Sequence, residues 1–244
     1  SDEAQRIMRP AALVAMDTNG RVMQGDISEQ MLLRDLDSPY GVRSNLEHLN
    51  TKLRELRALV SSAKTGFIVI DPGDLYRARN NAQYTSPKVA DSHWRNALTY
   101  LDQTYVIAKE AYPNATIIVS AQAARAPGAR LEGFGPLIIS GTKAGVLTSD
   151  STKRAGLVTN LDLSASILDI LSLPKPVEAL GQPITSTSEF SLHLVGKSAN
   201  TADNRINLLK KMNATALAVE LNRAPVLNTF IFSIVFILAL GAFV

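Results

Sequence analysis

Asp71, Asp74, Arg77 and Arg79 place four charged side chains within nine residues, in the run Ile70-Asp71-Pro72-Gly73-Asp74-Leu75-Tyr76-Arg77-Ala78-Arg79. A guanidinium fork suits phosphate-type oxygens. Arg77 and Arg79 are therefore candidate ligand-binding residues for an anion such as a phosphate or a cell-envelope polymer. A second reading is local: Asp74 and Arg77 pair with each other. The residue types leave both readings open. The three histidines, His48, His93 and His193, have no metal-ligand spacing with one another. Each reads as an ordinary surface or packing residue, and no metal ligand is assigned. The chain has no cysteine, which excludes disulfides, thiolate metal sites and a cysteine nucleophile.

Several elements would have to position those residues. Residues 10–16 (PAALVAM) read as a buried strand ended by the turn Asp17-Thr18-Asn19-Gly20, and 21–25 as a second strand. Ser38-Pro39-Tyr40-Gly41 is a turn. Ser44 and Glu47 form a capping-box pattern that opens a helix. That helix carries Leu46, Leu49, Leu53, Leu56, Leu59 and Val60 on one face, and Lys52, Arg54, Glu55 and Arg57 on a solvated one. Residues 66–71 (GFIVID) have the continuous apolar character of a central parallel strand. Ser86-Pro87 starts a second helix that runs to about Tyr112, with a break expected near Asp91-Ser92, before Pro113 and Asn114 stop it. Residues 115–120, 136–140 and 156–160 read as further strands. Asp162 or Ser164 caps a helix that ends before Pro174. Strands alternating with helices predict an α/β fold: a mostly parallel sheet with helices on both faces. Ligands of such sheets bind at the strands' C-terminal edge. That edge would gather Asp17, Asp71, Asp74, Arg77, Arg79 and the loop 128–135.

With 244 residues, 46% apolar and 19% charged, the chain can bury a core and is not a disordered tail. The net charge of +3 is scattered, without basic runs interleaved with aromatics, so no nucleic-acid partner is expected. Residues 226–244 carry no charge, and their only polar side chains are Asn228, Thr229 and Ser233. As a helix these nineteen residues would extend about 28 Å, close to the hydrocarbon thickness of a bilayer. A C-terminal transmembrane helix and a lipid-bilayer partner follow. Residues 203–224 read as an amphipathic helix leading into the span, packed on the domain in preference to lying on the membrane surface. The expected division is a domain over 1–196, a juxtamembrane helix over 197–225 and a span over 226–244. The chain opens on Ser1-Asp2-Glu3 and closes within the apolar run, so a longer natural protein is expected. Lys197, Arg205, Lys210, Lys211 and Arg223 outnumber Asp203 and Glu220 before the span, and alone would put that flank in the cytoplasm.

The segment 136–184 contains Gly156-Leu157-Val158 and Asp162, then Leu171-Ser172-Leu173-Pro174-Lys175-Pro176, then Leu180-Gly181-Gln182-Pro183. This pattern resembles the C-terminal core of the alkaline phosphatase superfamily, which includes sulfatases and cofactor-independent phosphoglycerate mutases. Residues 97–102 followed by 115–120 resemble the helix and strand that lead to that superfamily's metal-binding Asp-His pair. Pro39-Tyr40-Gly41-Val42-Arg43 and Gly73-Asp74-Leu75-Tyr76-Arg77 are similar to stretches in bacterial multi-span membrane proteins with an extracytoplasmic domain of this kind. The resemblance covers residues 10–225. It implies an alkaline-phosphatase-like fold, a cell-membrane location and an extracytoplasmic side, which we follow over the charge count of one flank.

Active members of that superfamily hold two divalent metals on Asp and His ligands beside a Ser or Thr nucleophile. Here Ala121-Gln122-Ala123-Ala124 follows the strand where Asp-His-Gly belongs. Arg77 and Arg79, and no His, follow Asp71 and Asp74. Lys143, Lys153 and Arg154 occupy the loop where the last His belongs. The resemblance therefore implies a degenerate, non-catalytic domain that binds or interacts in the cell envelope, with no cofactor. The alternative is a phosphate- or sulfate-ester hydrolase with unusual ligands. In it Asp71 and Asp74 would hold zinc or manganese, and Thr18 would be the candidate nucleophile. A third reading is a structural part of a larger complex, with a membrane-protein partner.

Overall fold

Ser86 and Pro87 open a 25-residue helix whose small residues recur every seven positions: Ala90, Ala97, Thr104 and Ala111 are all buried. A stripe of small side chains lets neighbouring helices approach closely, and this stripe organises the first half of the protein. The computed structural model describes residues 14–17, 19–22, 24–59, 66–121, 133–187 and 201–241. They fall into two compact units, Ser1–Ile117 with Ala126–Ala129, and Ile118–Arg125 with Arg130–Val244.

In the first unit, β1 (Leu32–Arg34) and β2 (Val42–Ser44) form an antiparallel hairpin with Leu32 opposite Ser44. The intervening turn is closed by the Asp35 N–H, which donates to the Gly41 carbonyl at 2.9 Å. The Asp35 carboxylate accepts from the Ser38 hydroxyl at 2.9 Å and pairs with Arg43 at 3.3 Å. Helix α1 (Leu46–Leu59) follows at once, then α2 (Asp74–Asn81) and the long α3 (Pro87–Ala111). The core is helix on helix. Leu49 and Leu53 of α1 meet Ala111 of α3, and Met31, Leu56, Ile70, Ile107 and Tyr112 pack around them. Arg57 donates to the Ala111 carbonyl at 2.8 Å, satisfying an open C-terminal acceptor of α3. The Tyr112 hydroxyl donates to the Leu53 carbonyl at 3.1 Å. Burial raises the Tyr112 pKa, against the opposing pull of Arg57.

In the second unit β3 (Ile117–Ser120), whose first residue lies on the boundary, pairs with β4 (Leu137–Ser140). β5 (Val146–Thr148) pairs antiparallel with β6 (Thr185–Thr187), with Val146 opposite Thr187. Helix α4 spans Asn160–Ile170 and helix α5 spans Ala202–Gly241.

The expected mostly parallel sheet with helices on both faces is absent among the described residues. The described strands form three separate two-stranded sheets, and none builds a large parallel layer. Residues 66–71 form no strand, and Ile70 packs against the helical core. Residues 156–159 are a turn and a short extended lead into α4, not a strand. Residues 21, 22, 24 and 25 are not strand, and Val14 and Ala15 are helical and exposed. An apolar run becomes a strand only where it meets a partner edge. A parallel partner needs a crossover, and here α1 and α3 bury one another instead. Ser44 is also not the cap of α1. It ends β2, and Asn45 takes the capping role, its Oδ1 accepting the His48 N–H at 3.1 Å. Helix α3 runs through Asp91-Ser92 without a break. Leu59 is exposed, and Val60 lies outside the described residues.

Candidate functional site

Asp74 opens α2, three residues after the exposed Asp71. It is 6% exposed and its carboxylate is encircled by donors. The Ser44 N–H donates to Oδ1 at 3.1 Å, and the Ser44 hydroxyl makes a short bond to Oδ2. Arg77 Nη2 donates to Oδ1 at 2.6 Å. The Ser44 hydroxyl also lies 2.8 Å from the Pro72 carbonyl, but its single proton goes to the stronger, charged acceptor. The sequence stretches around Arg43 and Arg77 thus meet through Ser44 and Asp74. A shallow concavity beside them is lined by Asp37, Ser38, His93, Asn96 and Tyr100. Arg43 lies over the Tyr100 ring at 5.5 Å, and His93 Nδ1 is 3.4 Å from Asn81 Nδ2.

This geometry resolves the local question about Asp74 and Arg77: they pair. Arg77 also donates to the Pro72 carbonyl at 3.2 Å. Arg79 instead lies over the Tyr76 ring, 6.0 Å from its centre. The two arginines form no common fork. Asp17 is a turn residue, its Oδ1 accepting from the Asn19 and Arg21 N–H groups at 2.9 Å each. The Arg21 N–H is the main reason its pKa is lowered. Thr18, the loop 128–132 and His193 lie outside the described residues.

A divalent metal does not fit the candidate carboxylates. Asp74 already faces three donors that a cation would have to displace, and Asp71 is exposed to solvent. Among the described residues no group of three His, Asp or Glu is placed to hold a metal. His48 is committed elsewhere, its Nε2 lying 2.8 Å from Asp26 Oδ2. That contact, with Ser28 donors, holds the Asp26 pKa well below the usual carboxylate range.

The Asp74 site makes a structural prediction. Ser44→Ala removes one of three donors to a buried carboxylate and is expected to cost about 1–2 kcal/mol. Urea unfolding followed by circular dichroism would read it. An unchanged midpoint would mean that water replaces the hydroxyl without loss.

Among the described residues the most enclosed charge is in the second unit. Asp162 is 0% exposed and accepts four hydrogen bonds. The Thr159 N–H and Ser149 hydroxyl donate to Oδ2 at 2.8 and 2.7 Å. The Ser151 hydroxyl and Gln182 N–H donate to Oδ1 at 2.5 and 2.9 Å. Burial alone would raise this pKa, but the four donors outweigh it and hold the carboxyl far below its usual range. Asp162 is thus the third residue of α4, not its cap, and Thr159 precedes the helix. One turn on, the Ser166 hydroxyl donates to the Asp162 carbonyl at 2.6 Å and accepts from the Ile184 N–H at 2.8 Å. Gly181 lies so close to the Leu161 backbone that a Cβ would collide with it. The site clamps the loop after β5, the start of α4 and residues 181–184 together. Thr159 and Asp162 carry a capping-box spacing that sequence can reveal. Nothing local marks Ser149, Ser151 or Gln182 as the other donors.

No family model matches the chain, and searches of curated proteins and of solved structures return no match. None of these comparisons bears on the expected likeness of residues 136–184 to alkaline phosphatases, which rests on Gly156-Leu157-Val158, Asp162, residues 171–176 and residues 180–183. The described fold lacks the large sheet that the likeness implies.

The third candidate is α5. Its first half is partly buried on one side, at Asn204, Arg205, Leu208, Met212, Asn213, Ala216 and Leu217. Asn213 Oδ1 accepts the Phe134 N–H at 2.8 Å. Gly156, at φ +85°, leaves room for Leu209 and Met212 where a side chain would strike them. Residues 218–238 are exposed on every side. The helix is long and apolar enough to cross a membrane, and none of its apolar stretch is buried. It runs unbroken through Pro225, so the amphipathic part and the apolar part are one element.

Proposed function

We propose that this chain is a membrane-anchored, non-catalytic interaction module of the cell envelope, with α5 as both docking strut and anchor. The observation that carries the reading is the change along α5 at residues 217–218. Up to Leu217 the helix is partly covered by its own unit; beyond it, Phe230, Ile231, Phe232, Val235, Phe236 and Leu238 are all more than half exposed. A row of apolar side chains of that length is costly in water and stable in lipid. The non-catalytic part rests on Asp74, Arg77 and Asp162, whose charged groups are committed to partners within the chain. The extracytoplasmic side rests on the sequence likeness alone. No specific observation favours the hydrolase reading.

Reconstituting the chain in phosphatidylcholine vesicles tests the anchor, with flotation expected for the whole chain and not for one ending at residue 217. Incubation with zinc and manganese, followed by metal analysis and phosphate-ester assay, tests the rest. Stoichiometric metal together with turnover would overturn the non-catalytic reading.

A further inference from the structure

Polar side chains in the exposed half of α5 are satisfied locally, with one exception. Asn222 Nδ2 donates to the Ala218 carbonyl at 2.7 Å. The Thr229 hydroxyl donates to the Pro225 carbonyl at 2.8 Å, and the Ser233 hydroxyl to the Thr229 carbonyl at 2.7 Å. The Asn228 amide makes no hydrogen bond with any described residue and is exposed. It lies five residues inside the last charge, Arg223, and hence about 7 Å along the helix toward the charge-free end. In hydrocarbon an unpaired amide is costly, and lipid tails offer it no partner.

Asn228 sits in a regular seam. Leu221, Ala224, Asn228, Ile231, Val235 and Leu238 are spaced three, four, three, four and three residues apart, and all are exposed. This spacing is the heptad pattern by which two helices interlock, and one Asn in such a seam fixes register and partner number. We propose that the occupant of this face is α5 of a second copy of the chain, packed in parallel about a two-fold axis with the two Asn228 amides bonded to each other. Two features favour a second copy. A carboxamide is both donor and acceptor, so it complements itself across a two-fold axis. Ala224, one turn before Asn228, lets the backbones come close there. Ile231 and Val235 are β-branched and fill the next layers of the seam. The inference rests on the membrane reading of α5 and adds the partner to it.

The absence of native cysteine gives a clean test. Single-cysteine variants I231C and V235C on the seam, and F230C and I237C on the opposite face, are each reconstituted as the full chain in phosphatidylcholine vesicles at high lipid-to-protein ratio. Flotation is scored before copper-phenanthroline oxidation. Disulfide-linked dimers are expected for I231C and V235C and not for the other two. Adding N228V to V235C should weaken dimerisation about three- to thirtyfold, and N228Q, which keeps the amide, should restore much of it. A chain that fails to float overturns the membrane reading and this inference with it. A floating chain that stays monomeric, cross-links equally on both faces, or is indifferent to N228V overturns this inference alone, leaving lipid or a different helix against the seam.

Discussion

Asp162→Ala is expected to destabilise the second unit by about 2–4 kcal/mol, the cost of losing the charge-assisted hydrogen bonds of a fully buried carboxylate. The substitution strands four donors at once: the Ser149 and Ser151 hydroxyls and the Thr159 and Gln182 amides. The Ser149 hydroxyl, on a buried residue, loses its acceptor where water is largely excluded, while Ser151, Thr159 and Gln182 are exposed residues whose donors water can reach. Asp162→Asn is the gentler variant. It keeps the shape but turns one acceptor into a donor facing donors, so it too should weaken the unit. Amide hydrogen exchange reads the effect locally. The Thr159 and Gln182 amides should lose protection in both variants, while those of α1 and α3 should hardly change. Unchanged protection at Gln182 would refute the clamp.

The same carboxylate gives the unit an acid dependence. Its folded pKa is depressed, so the unfolded state binds the proton more readily. The stabilisation is therefore fully present above the unfolded carboxylate value, about 3.9, and is lost as the pH falls through the lower folded value. Asp26, held down by His48, acts in the same direction in the first unit. Acid unfolding monitored by tryptophan-independent exchange at Thr159 and Gln182 should set in below about pH 4, and Asp162→Asn should remove that contribution.

The second large effect is expected in the anchor. Ile234→Arg puts a charge near the middle of the charge-free part of α5 and should oppose insertion by about 3–4 kcal/mol, roughly two to three orders of magnitude in the partition constant. Vesicle flotation with alkaline extraction measures it. The variant should remain in the soluble fraction while the Asp162 clamp keeps its exchange protection, because that site does not involve residue 234. Full membrane retention would mean that other segments hold the chain to the bilayer.

Local signals were legible. Ser86-Pro87 and Pro113 bracket α3 correctly because a side-chain cap and a ring that lacks an N–H act on their own turns. The turn at residues 38–41 was equally plain, yet the three-residue strands on either side of it were not, since three residues are too few to show a period of two. The parallel sheet failed at the next level. Residues 66–71 and 156–160 have strand-like composition, but composition names no partner, and the core formed between helices. The spacing of Asp74 and Arg77 shows them as a pair, whereas Ser44, thirty residues before Asp74, has the local pattern of a helix cap.

The sequence by itself determined the apolar end of α5: a charge-free run satisfies its backbone within one helix, so length and side-chain polarity suffice to define it. Only the tertiary structure decided what the acidic residues do. By residue type alone, Asp74 and Asp162 are each able to face a cleft and hold a ligand. Their donors arrive from residues up to thirty positions away, and hydrogen bonds at such separations are set by how elements pack, which no local spacing records.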